Sequence, residues 1–322
     1  MTFTLMALAI SLSATFQAQA QAQAYVLQGD MNNDGVLSVT DVTLMINWVL
    51  NDRVDEASLS YADMNGDGVL SITDVTMLLT QVMDFNDTPG DQIITVGGVT
   101  FTMVYVDGGT FIMGCKPEDD VWAYRNESPV HQVTIDSYYI AQTEVTQELW
   151  LAVMGNNPSG DTRDLQLPVE NVSYFDCATF VDKLSAMTGL VFRLPTEAEW
   201  EFAARGGQYS QWYQYAGSND ASVVAWYDEN SGNGTHPVAM LMANELGIYD
   251  MSGNVAEWCQ DFYSGYPRDP QVNPVGPESG YTNVVRNGGF DNMFQNCRYA
   301  RRFSVEPQIR SFNLGLRIAM NP

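Results

Sequence analysis

The stretch Gly247-Ile-Tyr-Asp-Met-Ser-Gly-Asn-Val-Ala-Glu-Trp258 packs two glycines, an Asp, an Asn, a Glu, a Tyr and a Trp into twelve residues. It neither alternates as a half-buried strand does nor carries an apolar stripe at helical spacing. Its glycines mark places where the backbone takes φ > 0 or passes close to another group. An Asp, a Glu and turn carbonyls brought together are hard oxygen donors of the kind calcium takes. The plain alternative is a surface turn held by Asx hydrogen bonds.

Outward from that turn, the chain has 322 residues, 45% of them apolar, and a net charge of −25. The length allows about two domains, each with its own core. The charge repels phosphate backbones and acidic membranes, so nucleic acid is excluded as a partner and cations are favoured. Residues 1–24 hold no charged side chain. Leu5 to Leu12 is mostly apolar, and Ala18-Gln-Ala20 and Ala22-Gln-Ala24 fit the small-residue cleavage rule, so 1–24 is expected to be a signal peptide. That predicts a secreted or cell-envelope protein. No run is long and apolar enough for a transmembrane segment. Cys115, Cys177, Cys259 and Cys297 form no Cys-x-x-Cys pair. In an exported chain they allow disulfides in three connectivities.

Residues 25–87 contain a repeat: Asp30-Met-Asn-Asn-Asp-Gly-Val-Leu-Ser-Val-Thr-Asp41 recurs 33 residues later as Asp63-Met-Asn-Gly-Asp-Gly-Val-Leu-Ser-Ile-Thr-Asp74. Each is a twelve-residue calcium loop by its spacing. Asp30, Asn32, Asp34 and Asp41, and again Asp63, Asn65, Asp67 and Asp74, fall at positions 1, 3, 5 and 12. Gly35 and Gly68 stand at the sharp turn, Val36 and Val69 offer the position-7 carbonyls, and Ser38 and Ser71 take position 9. After each loop comes a helical pattern, Val42, Met45, Ile46 and Val49, then Val75, Leu78, Leu79 and Val82, one apolar face apiece. Neither unit is large enough to bury that face alone, so the two helices are expected to pack together. This segment resembles a type I dockerin, a small all-α domain. The resemblance implies two calcium ions and a cohesin-like partner that attaches the chain to a scaffold or surface.

A polar linker, 88–92, leads into residues 93–322. There short strands, turns and a few helices follow one another. His131, Val133 and Ile135 share one strand face. Leu149, Ala152 and Val153 mark a helix that stops at Gly155. Ser173 with Asp176, and Thr196 with Glu199, are capping boxes opening two more, which stop at Gly189 and Gly206-Gly207. Glu197, Glu199 and Glu201 are assigned capping and surface roles rather than acid/base chemistry. Trp200, Trp226 and Trp258 are read as core or pocket walls.

Phe111-Ile-Met-Gly114, Pro129-Val-His131, Glu144-Val-Thr146, Arg193-Leu-Pro-Thr-Glu-Ala-Glu-Trp-Glu201, Thr235-His-Pro-Val238, the Gly247 turn and Leu314-Gly-Leu-Arg317 appear in this order. Together they resemble the formylglycine-generating enzyme (sulfatase-modifying factor) family across nearly all of 93–322. The resemblance implies an irregular α+β fold, C-type-lectin-like and poor in regular structure. It also implies one calcium ion in the turn, held by the side chains of Asp250 and Glu257 and the carbonyls of Gly253 and Val255.

The family's oxidases bind copper(I) through two cysteines five residues apart, after a Gly-Gly-Ser; thiolates are the soft ligands that ion prefers. Here the stretch reads Arg286-Asn-Gly-Gly-Phe-Asp-Asn-Met-Phe-Gln-Asn-Cys-Arg298. Counted from Arg286, Asn292 takes the first cysteine's place and Cys297 the second; counted from Gly288-Gly289, Met293 and Arg298 do. Neither register supplies the pair, so copper is not expected. Cys297 is the one catalytic candidate and Cys259 its candidate partner, although in an exported chain a structural disulfide between them is the expected outcome. Cys177 matches a helix cysteine whose disulfide partner is absent here, and is read as a buried thiol. Three functions follow: a non-catalytic calcium-stabilised module for a peptide or glycan ligand, a formylglycine-generating oxidase, or a non-catalytic part of a polysaccharide-degrading complex.

Overall fold

A computed structural model describes residues 28–32, 37–51, 59, 61–87 and 89–322. The expected signal peptide, Asp34 and Val36 lie outside them. The chain divides into two compact units between Pro89 and Gly90.

In the first unit, helices α1 (Val39–Asn51) and α2 (Ile72–Asp87) follow the two loops. Met45 and Leu78, equivalent in the repeat, are fully buried in one small cluster with Val42, Val75, Met31, Leu37 and Ala62. The buried stripe is narrower than its spacing suggested. Ile46 and Leu79 are exposed, at 39% and 40%. Two helices alone cover only the side chains that face each other, and the next position round each helix stays in water.

The second unit mixes strands and helices. A five-stranded sheet runs β1 (Gln92–Val96), β2 (Val99–Val106), β5 (Tyr138–Ala141), β12 (Ala319–Met320), β6 (Phe192–Arg193) in spatial order. A three-stranded sheet joins β3 (Gly109–Met113), β4 (His131–Ile135) and β8 (Gln271–Val272). A four-stranded sheet runs β10 (Arg302–Val305), β9 (Asn283–Arg286), β7 (Ala256–Phe262), β11 (Leu314–Leu316). His131, Val133 and Ile135 do share the buried face of β4.

Helices α3 (Gln147–Met154), α4 (Tyr174–Thr188) and α5 (Glu197–Ala204) begin and end where their caps placed them. Ser173 with Asp176 and Thr196 with Glu199 form complete capping boxes, and Gly155 and Gly189 close α3 and α4 in the left-handed conformation. Each such cap contributes about 1 kcal/mol. A short helix, α6 (Ala221–Val224), follows.

The turn Gly247–Trp258 feeds β7, the strand between β9 and β11, so its last three residues, Ala256, Glu257 and Trp258, are buried in the sheet. Gly253 has φ 80, and a Cβ there would meet the backbone of Trp226 at 2.5 Å or closer. Gly315 sits opposite Glu257 across β11 and β7, where a side chain would run into the Val169 carbonyl.

Two expectations are corrected. Glu197 and Glu201 are buried, because Arg286 and Arg302 from the facing strands reach them. Cys259 and Cys297 form no disulfide. All four cysteines are free and buried, with Cys259 beside Trp200 and Ile248 and Cys297 beside Tyr215 and Tyr227 in separate clusters. Cys177 is a buried thiol in the main core.

Candidate functional site

The segment from Arg286 to Arg302 carries three buried arginines, each matched to acids from elsewhere. Arg286 lies 3.0 Å from Glu197 and 2.7 Å from Glu201. Arg302 lies 2.7 Å from Glu197, and Arg298 holds Glu127 at 2.7 Å and Asp120 at 3.1 Å. Burial pushes the Glu201 carboxyl up, but Arg205 and Arg286 more than reverse this and hold it below the ordinary range. This lattice fixes the floor on which the loops sit. The sequence showed each glutamate, but no local signal tied it to an arginine 85 to 171 residues away.

Above the floor opens a cleft of about 500 Å³. Trp212, Tyr213, Tyr299, Arg205, Asp119 and Asn219 are among its walls. The Arg205 guanidinium stacks 3.9 Å from the Tyr299 ring. Trp212 is 74% exposed and its φ is 62. A bulky residue in the left-handed region costs about 1–3 kcal/mol and persists only where its surroundings hold it there. The wall thus presents an indole face, phenols, a guanidinium, carboxylates and amides, suited to stacking and hydrogen bonding at once. Cys115 also lines it, but burial, then the charges of Asp120 and Glu127, push its thiol up to about 11. Sequence reading missed this cleft, because its walls come from segments far apart in the chain.

At the turn, Glu257 is fully buried. Its Oε1 accepts from Arg317 Nη2 at 2.9 Å, and its Oε2 accepts from the Trp200 indole at 2.6 Å. Asp250 Oδ2 accepts from the Ala239 amide at 2.7 Å. Burial pushes the Asp250 carboxyl up to about 6. Glu144, which the sequence reading left without a role, caps the far side. Its oxygens accept from the Val255 amide and the Asn254 side chain, and burial, then the nearby Asp250 and Glu257, raise it well above the carboxylate range.

The sulfatase-modifying factor enzyme 1-like domain, as a family pattern, matches residues 98–322. The chain belongs to that family. The dockerin type I domain matches residues 28–83 ahead of it. The sulfatase-modifying factor domain is 35% identical to the chaperone protein LppX of Paenibacillus barcinonensis, over 55% of this chain and 78% of that protein. It is 31% identical to the formylglycine-generating enzyme of Thermomonospora curvata, over 68% of this chain and 93% of the enzyme. The chain spans only 38% of another relative, the serine/threonine-protein kinase Pkn1 of Chlamydia trachomatis, at 28% identity. Among solved structures, Treponema denticola variable protein 1 superposes with a TM-score of 0.67 at 33% identity, over 73% of this chain and all of that one.

Within the sulfatase-modifying factor domain, the place of the copper-binding pair does not fit copper. Asn292 accepts the Gly289 amide through its side-chain oxygen and brings no sulfur. Cys297 is fully buried, and burial, then the charges of Asp228 and Asp291, push its thiol up to about 12. One protonated thiol is not the two-thiolate donor set copper(I) takes.

In the dockerin, the donor chemistry fits calcium. Asp63 accepts the amides of Gly66, Asp67 and Gly68, which wraps the second loop around its carboxylate. The Asn65 and Asp67 side chains hydrogen bond at 2.9 Å within the same wrap, so three oxygen-bearing side chains gather there. Asp41 and Asp74 are fully buried and behave alike. Each accepts from the backbone at positions 2, 3 and 9 and from the Ser38 or Ser71 hydroxyl. A carboxylate has about four acceptor sites. All four are engaged in both loops, so these two residues tie the loop's start to its end. Among the described residues, no three His, Cys, Asp or Glu side chains gather as a ready metal cluster, and no helix is long and apolar enough to cross a membrane.

Proposed function

We propose that the sulfatase-modifying factor domain of this chain is a binding module without oxidase activity, carried to a surface by its dockerin. The incomplete cysteine pair carries this reading: Asn292 and Cys297 in one register, or Met293 and Arg298 in the other, supply no two thiolates, and Cys297 is a neutral thiol packed with Tyr215 and Tyr227. Relatives of similar identity are named as a chaperone and as formylglycine-generating enzymes, so family membership alone does not assign the oxidase reaction. The cleft walled by Trp212, Tyr213 and Tyr299 is the ligand site in this reading, and it takes a peptide or a glycan.

Dockerins bind calcium and cohesins in general and belong to extracellular or cell-surface complexes. In this chain the calcium ions are held by Asp30, Asn32, Asp34 and Val36 and by Asp63, Asn65, Asp67 and Val69, with Ser38–Asp41 and Ser71–Asp74 closing the loops. The ions supply the positive charge that lets these carboxylates lie together. A cohesin-like partner reads the side chains left exposed at matching places, Val39 with Ile72 and Ile46 with Leu79.

Two measurements test the reading. Calcium-loaded protein is incubated with copper, oxygen and a peptide carrying Cys-x-Pro-x-Arg, then the peptide is weighed by mass spectrometry. The expected product is the unmodified cysteine, and an aldehyde that depends on Cys297 would establish the oxidase instead. In parallel, Trp212→Ala should abolish retention of ligands selected on a glycan and peptide array while leaving the melting temperature in place. Equal retention by both proteins would remove the cleft from the proposal.

A further inference from the structure

Asn287 is fully buried at the end of β9, in the left-handed conformation with φ 65. Asparagine is among the few residues that take this conformation readily. Its side chain reaches into the turn. Nδ2 donates to the carbonyls of Asp250 at 3.2 Å, Gly253 at 2.7 Å and Val255 at 3.2 Å. On its other side, Oδ1 accepts the amides of Gly253 and Gly288, both at 2.8 Å. Three carbonyl oxygens therefore converge on one nitrogen, with two of them being the carbonyls assigned to calcium from the sequence.

Of the two carboxylates in that assignment, Glu257 is taken by Arg317 and Asp250 accepts the Ala239 amide. Arg317 lies against Glu257 through Nε and Nη2, and its remaining donors go to the Ala141 carbonyl at 2.9 Å and the Tyr249 carbonyl at 2.8 Å. Both partners of this pair are fully buried. An ion entering between these oxygens would have to expel the amide and pull the carboxylate from Arg317. That would leave a buried guanidinium without its counter-charge, which is strongly unfavourable. The residues of the turn do not fit calcium.

We propose that the Asn287 side-chain amide takes the place of a cation in this turn, so that the second domain holds its fold without calcium and the chain's calcium dependence is confined to the dockerin. A glycine brings no side chain into the ring of carbonyls. An asparagine brings two N–H donors, which meet the same oxygens with no net charge. The single charge of Glu257 is met by Arg317.

The test uses the full chain carrying Asp30→Ala and Asp63→Ala, which removes the first ligand of each dockerin loop and leaves the turn untouched. Bound calcium is counted after gel filtration, and the second domain is melted in calcium and in chelator. The expected result is the same melting temperature in both, and no ion whose retention depends on the turn. An ion that survives in this chain and is lost on adding Glu257→Gln would overturn the proposal. A residual ion indifferent to Glu257→Gln belongs to the loops and leaves it standing. In the same background, Asn287→Gly should lower the melting temperature in chelator. If Asn287→Gly melts like its parent in chelator, the amide does not hold the turn and the proposal fails. The calcium count is read without altering the turn, so it stands even if Asn287→Gly does not fold.

Discussion

Arg286 Nη2 lies 2.7 Å from Glu201 Oε2, with both side chains fully buried and 85 residues apart in sequence. The pair joins the end of β9 to helix α5, and Arg205, four residues on from Glu201, shares the same carboxylate. Breaking a buried pair by removing one partner strands the other charge in a low-dielectric interior. Glu201→Ala is therefore expected to cost about 3–5 kcal/mol, measured by urea denaturation of the second domain.

Acid should act through the same residue. The Glu201 carboxyl sits below its ordinary value of 4.5 in the folded chain. A depressed folded value means the stabilisation is present above the unfolded value and is lost as pH falls through the folded one. Melting temperature should thus fall steeply below about pH 4.5 in wild type, and the Glu201→Ala variant should show a shallower acid limb. Parallel limbs would assign acid unfolding to other carboxylates.

Asp261 has the opposite sign. Burial, then the neighbouring charge of Glu197, pushes its carboxyl from 3.8 up to about 8. Between those values the unfolded chain ionises while the folded chain keeps its proton, so wild type loses stability as pH rises. Asp261→Asn removes the proton and keeps an oxygen for the Glu197 amide that Asp261 now accepts. It should be more stable than wild type at pH 8 by a few kcal/mol, at about 1.4 kcal/mol per unit of pKa shift. The gain should close toward pH 4. Coincident melts at pH 8 would show that the folded carboxyl ionises normally.

The two dockerin loops should respond alike at position 12. Asp41→Ala and Asp74→Ala each strip the same set of donors of their acceptor, and an Asn in either place keeps only one acceptor oxygen. Alanine is expected to abolish the calcium-induced far-UV helix signal of its own half, and asparagine to weaken it. A loss confined to one loop would mean the repeat is symmetric in sequence but not in energetics.

Chelation supplies the companion measurement. The dockerin match, residues 28–83, is rich in acidic side chains that repel one another without an ion. Removing calcium should unfold α1 and α2, and Asp30→Ala with Asp63→Ala should reproduce that spectrum in calcium. An unchanged dichroism spectrum after chelation would count against calcium-coupled folding.

By itself the sequence determined whatever is written locally. The repeat of Asp30–Asp41 in Asp63–Asp74, the capping boxes at Ser173 and Thr196, the glycine stops at Gly155 and Gly189, and the alternation of β4 are each set by neighbours within a few residues, and each appears where the spacing placed it. The family followed from the order of such motifs. What only the tertiary structure decided is how groups distant in the chain neutralise or satisfy one another. Glu197 and Glu201 look like surface acids on a helix until Arg286 and Arg302 arrive from β9 and β10. Cys259 and Cys297 look like a disulfide until the core separates them. The oxygens of the turn at Asp250 read as lone pairs waiting for a partner, and the fold brings Asn287 to the Gly253 carbonyl and Arg317 to Glu257. In each case the residue type states only that a charge or a lone pair must be met. The partner that meets it is chosen by packing across the sheet, because burial makes an unmatched polar group too costly to leave.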